Sequence, residues 1–138
     1  MPTMKQVRAA IIGRVKAHWD ATYPGVKMYY DNAYPQGSEV DNLSTYVLCS
    51  IRFSGGAQMD ISPTPNHRIR GRVVFMAACR DGAGSSKVLE YLDSLSGAMR
   101  FAQFGGVVTQ EPMPGVPLAD SGWFSYDLGV SFYADSIN

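Results

Sequence analysis

A chain of 138 residues suits one domain around one core. Its 12 basic and 12 acidic side chains cancel to a formal net charge of +0, which argues against a protein that coats nucleic acid. It has no positive-then-apolar leader pattern and no run approaching a membrane span, so a protein made and folded in a cytosol is expected.

The charges are unevenly spread. Lys5, Arg8, Arg14, Lys16 and Lys27 face one acid, Asp20, before Tyr30; Glu111, Asp120, Asp127 and Asp135 have no basic companion after Glu111. Pairing within the fold and complementary surfaces on neighbouring copies both remain open. Cys49 and Cys79 fall at inward positions of predicted strands, where free thiols pack well.

Thr3 and Gln6 spell a capping box that opens a helix to about Trp19, with Met4, Val7, Ile11, Val15 and His18-Trp19 inward. Tyr23-Pro24-Gly25 stops it, and Val26–Tyr30 reads as a short strand. Residues 31–44 are polar and aperiodic, a loop long enough to carry function. Thr45–Ser54 alternates, with Val47, Cys49, Ile51 and Phe53 inward and Tyr46, Leu48, Ser50 and Arg52 outward. Gly55-Gly56 turns or bulges the chain, Ala57–Ile61 extends it, and Ser62–Asn66 is a stiff loop with two prolines.

His67–Arg80 is the strongest strand signal. Ile69, Gly71, Val73, Phe75, Ala77 and Cys79 point one way; Arg68, Arg70, Arg72, Val74, Met76 and Ala78 point the other. A glycine-rich turn leads to a helix over Ser85–Met99, with Val88, Leu89, Leu92, Leu95 and Met99 on its apolar side. Phe104–Glu111 reads as a strand and Pro112–Pro117 as a proline loop bearing Met113, Val116 and Leu118. The final strand, Gly122–Ala134, sets Phe124, Tyr126, Leu128, Val130 and Phe132 against Trp123, Asp127 and Tyr133. The expected fold is a single α+β domain: a mainly antiparallel sheet with two helices packed on it.

No catalytic, metal or cofactor spacing stands out. The two histidines and two cysteines make no zinc pattern, the loop acids make no calcium loop, and Gly82 and Gly84 before Ser85-Ser86 lack the lysine of a phosphate loop. An enzyme would need a site between the sheet and loop 31–44, with His67, Asp31 or Asp41 gathered in it. The row Arg68, Arg70 and Arg72 is more informative. Like charges this close repel unless something anionic faces them. Acids on a neighbouring strand, another subunit and DNA are the three readings, and neutral net charge disfavours the last. Tyr46, Trp123, Tyr133, Met113 and Val116 are of types favoured where protein meets protein.

The order of these elements resembles a family. A capped helix with the run Arg8–Ile12 comes first, then a short strand and proline-containing loop over Tyr29–Pro35. Strands Thr45–Phe53 and Arg70–Ala78 follow, then a helix with Leu89, Leu92 and Leu95, and an aromatic closing strand, Trp123–Ala134. This looks like the tail terminator (tail completion, minor tail protein) family of long-tailed, lambda-like phages. The resemblance implies a structural virion protein without enzyme activity or cofactor. It implies a hexameric ring at the head-proximal end of the tail that caps the tail tube, ends its polymerisation and docks the head-tail connector. DNA would only pass through the lumen, and assembly would take place in the host cytoplasm. The proline loop Met113–Val116 departs from the family pattern. A connector or neck protein, or a tube subunit, is the neighbouring reading.

Overall fold

The computed structural model describes residues 3–30, 43–58, 67–80, 82, 84–120 and 122–136. Helix α1 (Met4–Thr22) starts at the expected capping box: the Gln6 amide donates to Thr3 Oγ1 at 3.2 Å, and the Thr3 amide donates to Gln6 Oε1 at 2.9 Å. It runs past Trp19 because the Tyr23 amide still reaches the Trp19 carbonyl at 2.7 Å. Val7, Ile11, Val15 and Trp19, four apart, form its buried stripe. Met4, expected on that stripe, is 55% exposed; the first turn overhangs the core.

Helix α2 (Ser86–Met99) buries Val88, Tyr91, Leu92, Leu95 and Met99. Leu89, expected inward, is 41% exposed. It sits a full 100° step from Val88, and Tyr91 takes the inward place instead.

Eight strands form one sheet: β1 (Met28–Tyr29), β2 (Thr45–Gln58), β3 (His67–Arg80), β4 (Gln103–Phe104), β5 (Val107–Thr109), β6 (Met113–Pro114), β7 (Leu118–Asp120) and β8 (Trp123–Ser136). The order is β1-β2-β3-β8-β5-β4, with β6 and β7 also on β8. β3 is central, antiparallel to β2 on one side and to β8 on the other along its whole length. All pairs are antiparallel except β1–β2. The architecture is the expected α+β, with both helices on one face of the sheet.

Three local expectations are corrected. The first strand shrinks to Met28–Tyr29, because Val26 is held elsewhere: its carbonyl accepts from Trp19 Nε1 at 2.9 Å. The strand expected over Phe104–Glu111 breaks into β4 and β5 at Gly105-Gly106, where φ is 53° and 81°, a conformation glycine adopts without penalty. The proline segment is no free loop, because β6 and β7 run along the edge of β8, where proline is tolerated. The possible turn at Gly55-Gly56 is a bulge between Phe53 and Gly55, and β2 continues to Gln58. Asp31, Tyr34, Pro35, Glu39, Asp41, Asp60, Ile61 and the loop Ser62–Asn66 lie outside the described residues.

The core lies between helices and sheet. Val73, Phe75 and Ala77 of β3 are fully buried, flanked by Val47 and Cys49 of β2 and Leu128, Val130 and Phe132 of β8. Cys49 and Cys79 are buried thiols, as expected, and Cys79 Sγ donates to the Gly84 carbonyl at 3.3 Å. Thr109, 1% exposed, ties the end of α2 to the sheet: its hydroxyl donates to the Met99 carbonyl and accepts from the Ala102 amide at 2.8 Å.

Candidate functional site

Period two sends every second residue of β2, β3 and β8 away from the helices. No described element covers that face. The register places its residues in rows across the sheet. Tyr46, Ala78 and Ser125 form one row; Leu48, Met76 and Asp127 the next; then Ser50, Val74 and Gly129; then Arg52, Arg72 and Ser131. Met113 pairs with Gly129 and Leu118 with Ser125, so both edge residues lie on the same face.

One end is aromatic. Tyr29 and Tyr46 ring centroids are 6.2 Å apart, Tyr46 and Trp123 4.8 Å, and the Arg80 guanidinium lies 4.0 Å over Trp123. Arg80 is fixed there by a 3.2 Å hydrogen bond to the Leu43 carbonyl. Beneath this cluster Ala78 is fully buried and Ser125 nearly so. The middle is apolar and half-buried, with Leu48, Val74 and Met76. Met113, Leu118 and Val116 flank it, 62%, 60% and 80% exposed.

Asp127 stands in this apolar middle. Burial pushes its carboxyl above the ordinary aspartate range, and the positive charge of Arg52 only partly offsets that. Its backbone carbonyl accepts from the Gly115 amide at 2.8 Å, which pins the proline segment to β8.

The other end is cationic, and its arginines are not equivalent. Arg68 is bidentate to Asp135 at 2.7 and 2.9 Å, and its guanidinium stacks 4.1 Å over Tyr133. Hydrogen bonding to Arg68 holds the Asp135 carboxyl below its usual range despite partial burial. Arg52, Arg70 and Arg72 are exposed, and among the described residues none has an ion pair. Arg52 and Arg72 sit directly opposite each other across β2–β3, an arrangement of like charges that destabilises a strand pair. Gly129 makes the Arg72 position possible, since a β-carbon there would collide with the Arg72 guanidinium.

All eight candidates read from the sequence, namely Arg68, Arg70, Arg72, Tyr46, Met113, Val116, Trp123 and Tyr133, thus map to this face or its β8 edge. Tyr30 does not, since it packs against the helix-side core and burial pushes its phenol up to about 12. Sequence reading misses two members. Arg52 joins the cationic row only once register sets it opposite Arg72. Asp127 joins only once Met76 and Leu48 are seen beside it.

Among the described residues there is no group of three or more His, Cys, Asp or Glu side chains that could hold a metal ion. His18 is bonded to Ser94 at 2.8 Å, against the helical layer. No described helix is long and apolar enough to cross a membrane.

No family model matches this chain, and no curated protein does. A solved structure with 14% sequence identity superposes over 100% of this chain and 99% of its own, with a TM-score of 0.72. At that identity the likeness is one of fold.

Proposed function

We propose that this protein is a tail terminator of a long-tailed phage: a structural virion component that closes into a ring, most simply of six copies. The ring caps the last ring of the tail tube at its head-proximal end, stops tube polymerisation and offers the head-tail connector a docking surface. It is not an enzyme and works without a cofactor.

The observation that carries this reading is the sheet face that no described element covers. It is rich in Tyr, Trp, Met and Arg, the types enriched where proteins meet, and bears no Lys. The chain's four lysines, Lys5, Lys16, Lys27 and Lys87, lie on α1, α2 or the α1–β1 connection. A heterologous contact, in which this face meets a different patch of the next copy, generates a ring when the rotation closes. The order of elements described above supports the assignment to the terminator family.

The test is solution mass and negative-stain imaging of the purified protein, alone and with tail tubes. A terminator forms closed rings and caps tube ends without extending them. Open-ended polymers would identify a tube subunit, and a protein that stays monomeric and ignores the tube would sink the reading. Reversing the charge of Arg70 and Arg72 should impair ring formation.

A further inference from the structure

Among the described residues no element covers the sheet face and Arg52, Arg70 and Arg72 have no ion pair, so an occupant that brings acids suits it, and the molecule's own outer surfaces differ in what they supply. Helix α1 presents Lys5, Arg14 and Lys16 to solvent, which would repel the exposed arginines. Helix α2 presents Glu90 and Asp93 against one exposed cation, Lys87 in its first turn, with exposed Leu89 beside the acids and Gly97 leaving open space one turn on. Glu90 accepts a 3.3 Å hydrogen bond from the Tyr23 hydroxyl, and neither acid has an ion pair among the described residues.

Spacing matches as well as sign. Residues three apart on a helix carry β-carbons about 5–6 Å apart, which is the Glu90–Asp93 relation. Residues directly opposite in an antiparallel pair carry β-carbons about 4.5–5.5 Å apart, which is the Arg52–Arg72 relation. Helix α2, with 14 residues, is about 21 Å long. From Arg80 to Arg72 the face extends about 27 Å along β3.

Resting on the self-association reading above, we infer that the outer side of α2 in one copy seats on the uncovered sheet face of the next. Glu90 and Asp93 meet Arg52 and Arg72, and Leu89 enters the apolar strip around Val74 and Met76. The sheet is then covered on both faces, by its own helices on one and a neighbour's helix on the other. Within one chain the contact is impossible, because α2 already packs on the opposite face. Among the described residues the opposed Arg52–Arg72 pair has no ion pair and only the charge of Asp127 acting on Arg52, so the two carboxylates of the neighbour's helix would add the counter-charge that the pair lacks there.

Charge reversal decides it. Glu90→Arg with Asp93→Arg, and separately Arg52→Glu with Arg72→Glu, should each raise the dissociation constant for self-association at least about tenfold. All four changes in one chain should recover association to within about threefold, with unchanged circular dichroism throughout. As a second measurement, Asp93→Cys and Arg72→Cys proteins, made separately and mixed, should be joined by a short bismaleimide, and neither alone should be. If the α2 reversal associates like the parent, if the combined variant does not recover, or if the mixture is not joined, the α2 seat is wrong. The ring reading stands so long as the parent associates. A parent that stays monomeric with and without tail tubes overturns both.

Discussion

Asp127 and Asp135 lie on the same face of β8 and should respond to pH in opposite directions. Burial raises the Asp127 pKa on folding, so its ionised form opposes folding. The favourable condition is fully present below the unfolded-state pKa and is lost as pH rises through the raised folded value. Asp127→Asn should therefore raise the melting temperature at neutral pH, with the difference shrinking in acid; an equal or lower value at neutral pH would refute the account. Asp135 is lowered by Arg68, so its contribution is present above the unfolded pKa and is lost as pH falls through the depressed folded value. Asp135→Asn should lower stability slightly at neutral pH and make no difference in strong acid, because the pair is largely solvent-screened. The two glycines of this region also differ. A β-carbon at Gly71 would strike the Arg52 carbonyl and the Phe132 ring, both fixed by the sheet and core. At Gly129 it would strike only the movable end of Arg72. Gly71→Ala should cost about 1–3 kcal/mol in chemical denaturation and Gly129→Ala clearly less, while the latter displaces Arg72.

At the scale of elements, the end of α2 is secured by one side chain. Phe101, at φ 45°, turns the chain out of the helix, and the Thr109 hydroxyl bonds Met99 and Ala102 on either side of that turn. Thr109→Val keeps the shape and leaves those two backbone groups unanswered. It should cost about 1–3 kcal/mol, against about 1 kcal/mol for losing the exposed cap in Thr3→Ala. If the two variants unfold at the same denaturant concentration, Thr109 is not the tie described. That hydroxyl was not legible in the sequence, because nothing in Val107-Val108-Thr109 distinguishes a strand residue from a helix anchor. β3, by contrast, was legible to its end residues, since both its faces alternate without a break and its neighbours pair along its whole length. The small strands were not. β1 has two residues and its position follows from where Trp19 holds Val26, while β6 and β7 are strands only because β8 offers an edge to run along. The candidate face was legible as separate residues from the period-two pattern. Their union into one surface depends on register across β2, β3 and β8, which a single strand does not encode.

For the whole molecule, zero net charge conceals a polar arrangement: Arg52, Arg70 and Arg72 exposed on the sheet face with no ion pair among the described residues, and Glu90 and Asp93 on the outer side of α2. Copies of such a molecule experience little overall repulsion and a directional attraction between unlike patches. Exposed charges lose their attraction over roughly a Debye length, about 10 Å at 0.1 M salt and about 3 Å at 1 M. Apolar contact around Met76, Val74 and Trp123 is not weakened by salt and is strengthened by excluded salts. The two contributions can therefore be separated. Raising sodium chloride from about 0.05 M to about 0.5 M should weaken self-association several-fold in sedimentation equilibrium, mainly by slowing encounter. In the Arg52→Glu, Arg72→Glu variant the salt dependence should invert, because the new carboxylates face Glu90 and Asp93 and salt screens that repulsion, whereas Met76→Asp should weaken association at every salt concentration. Association that is unchanged or tighter across that range in the parent would mean that the arginines are solvated ornaments of the face and that apolar contact alone assembles the protein.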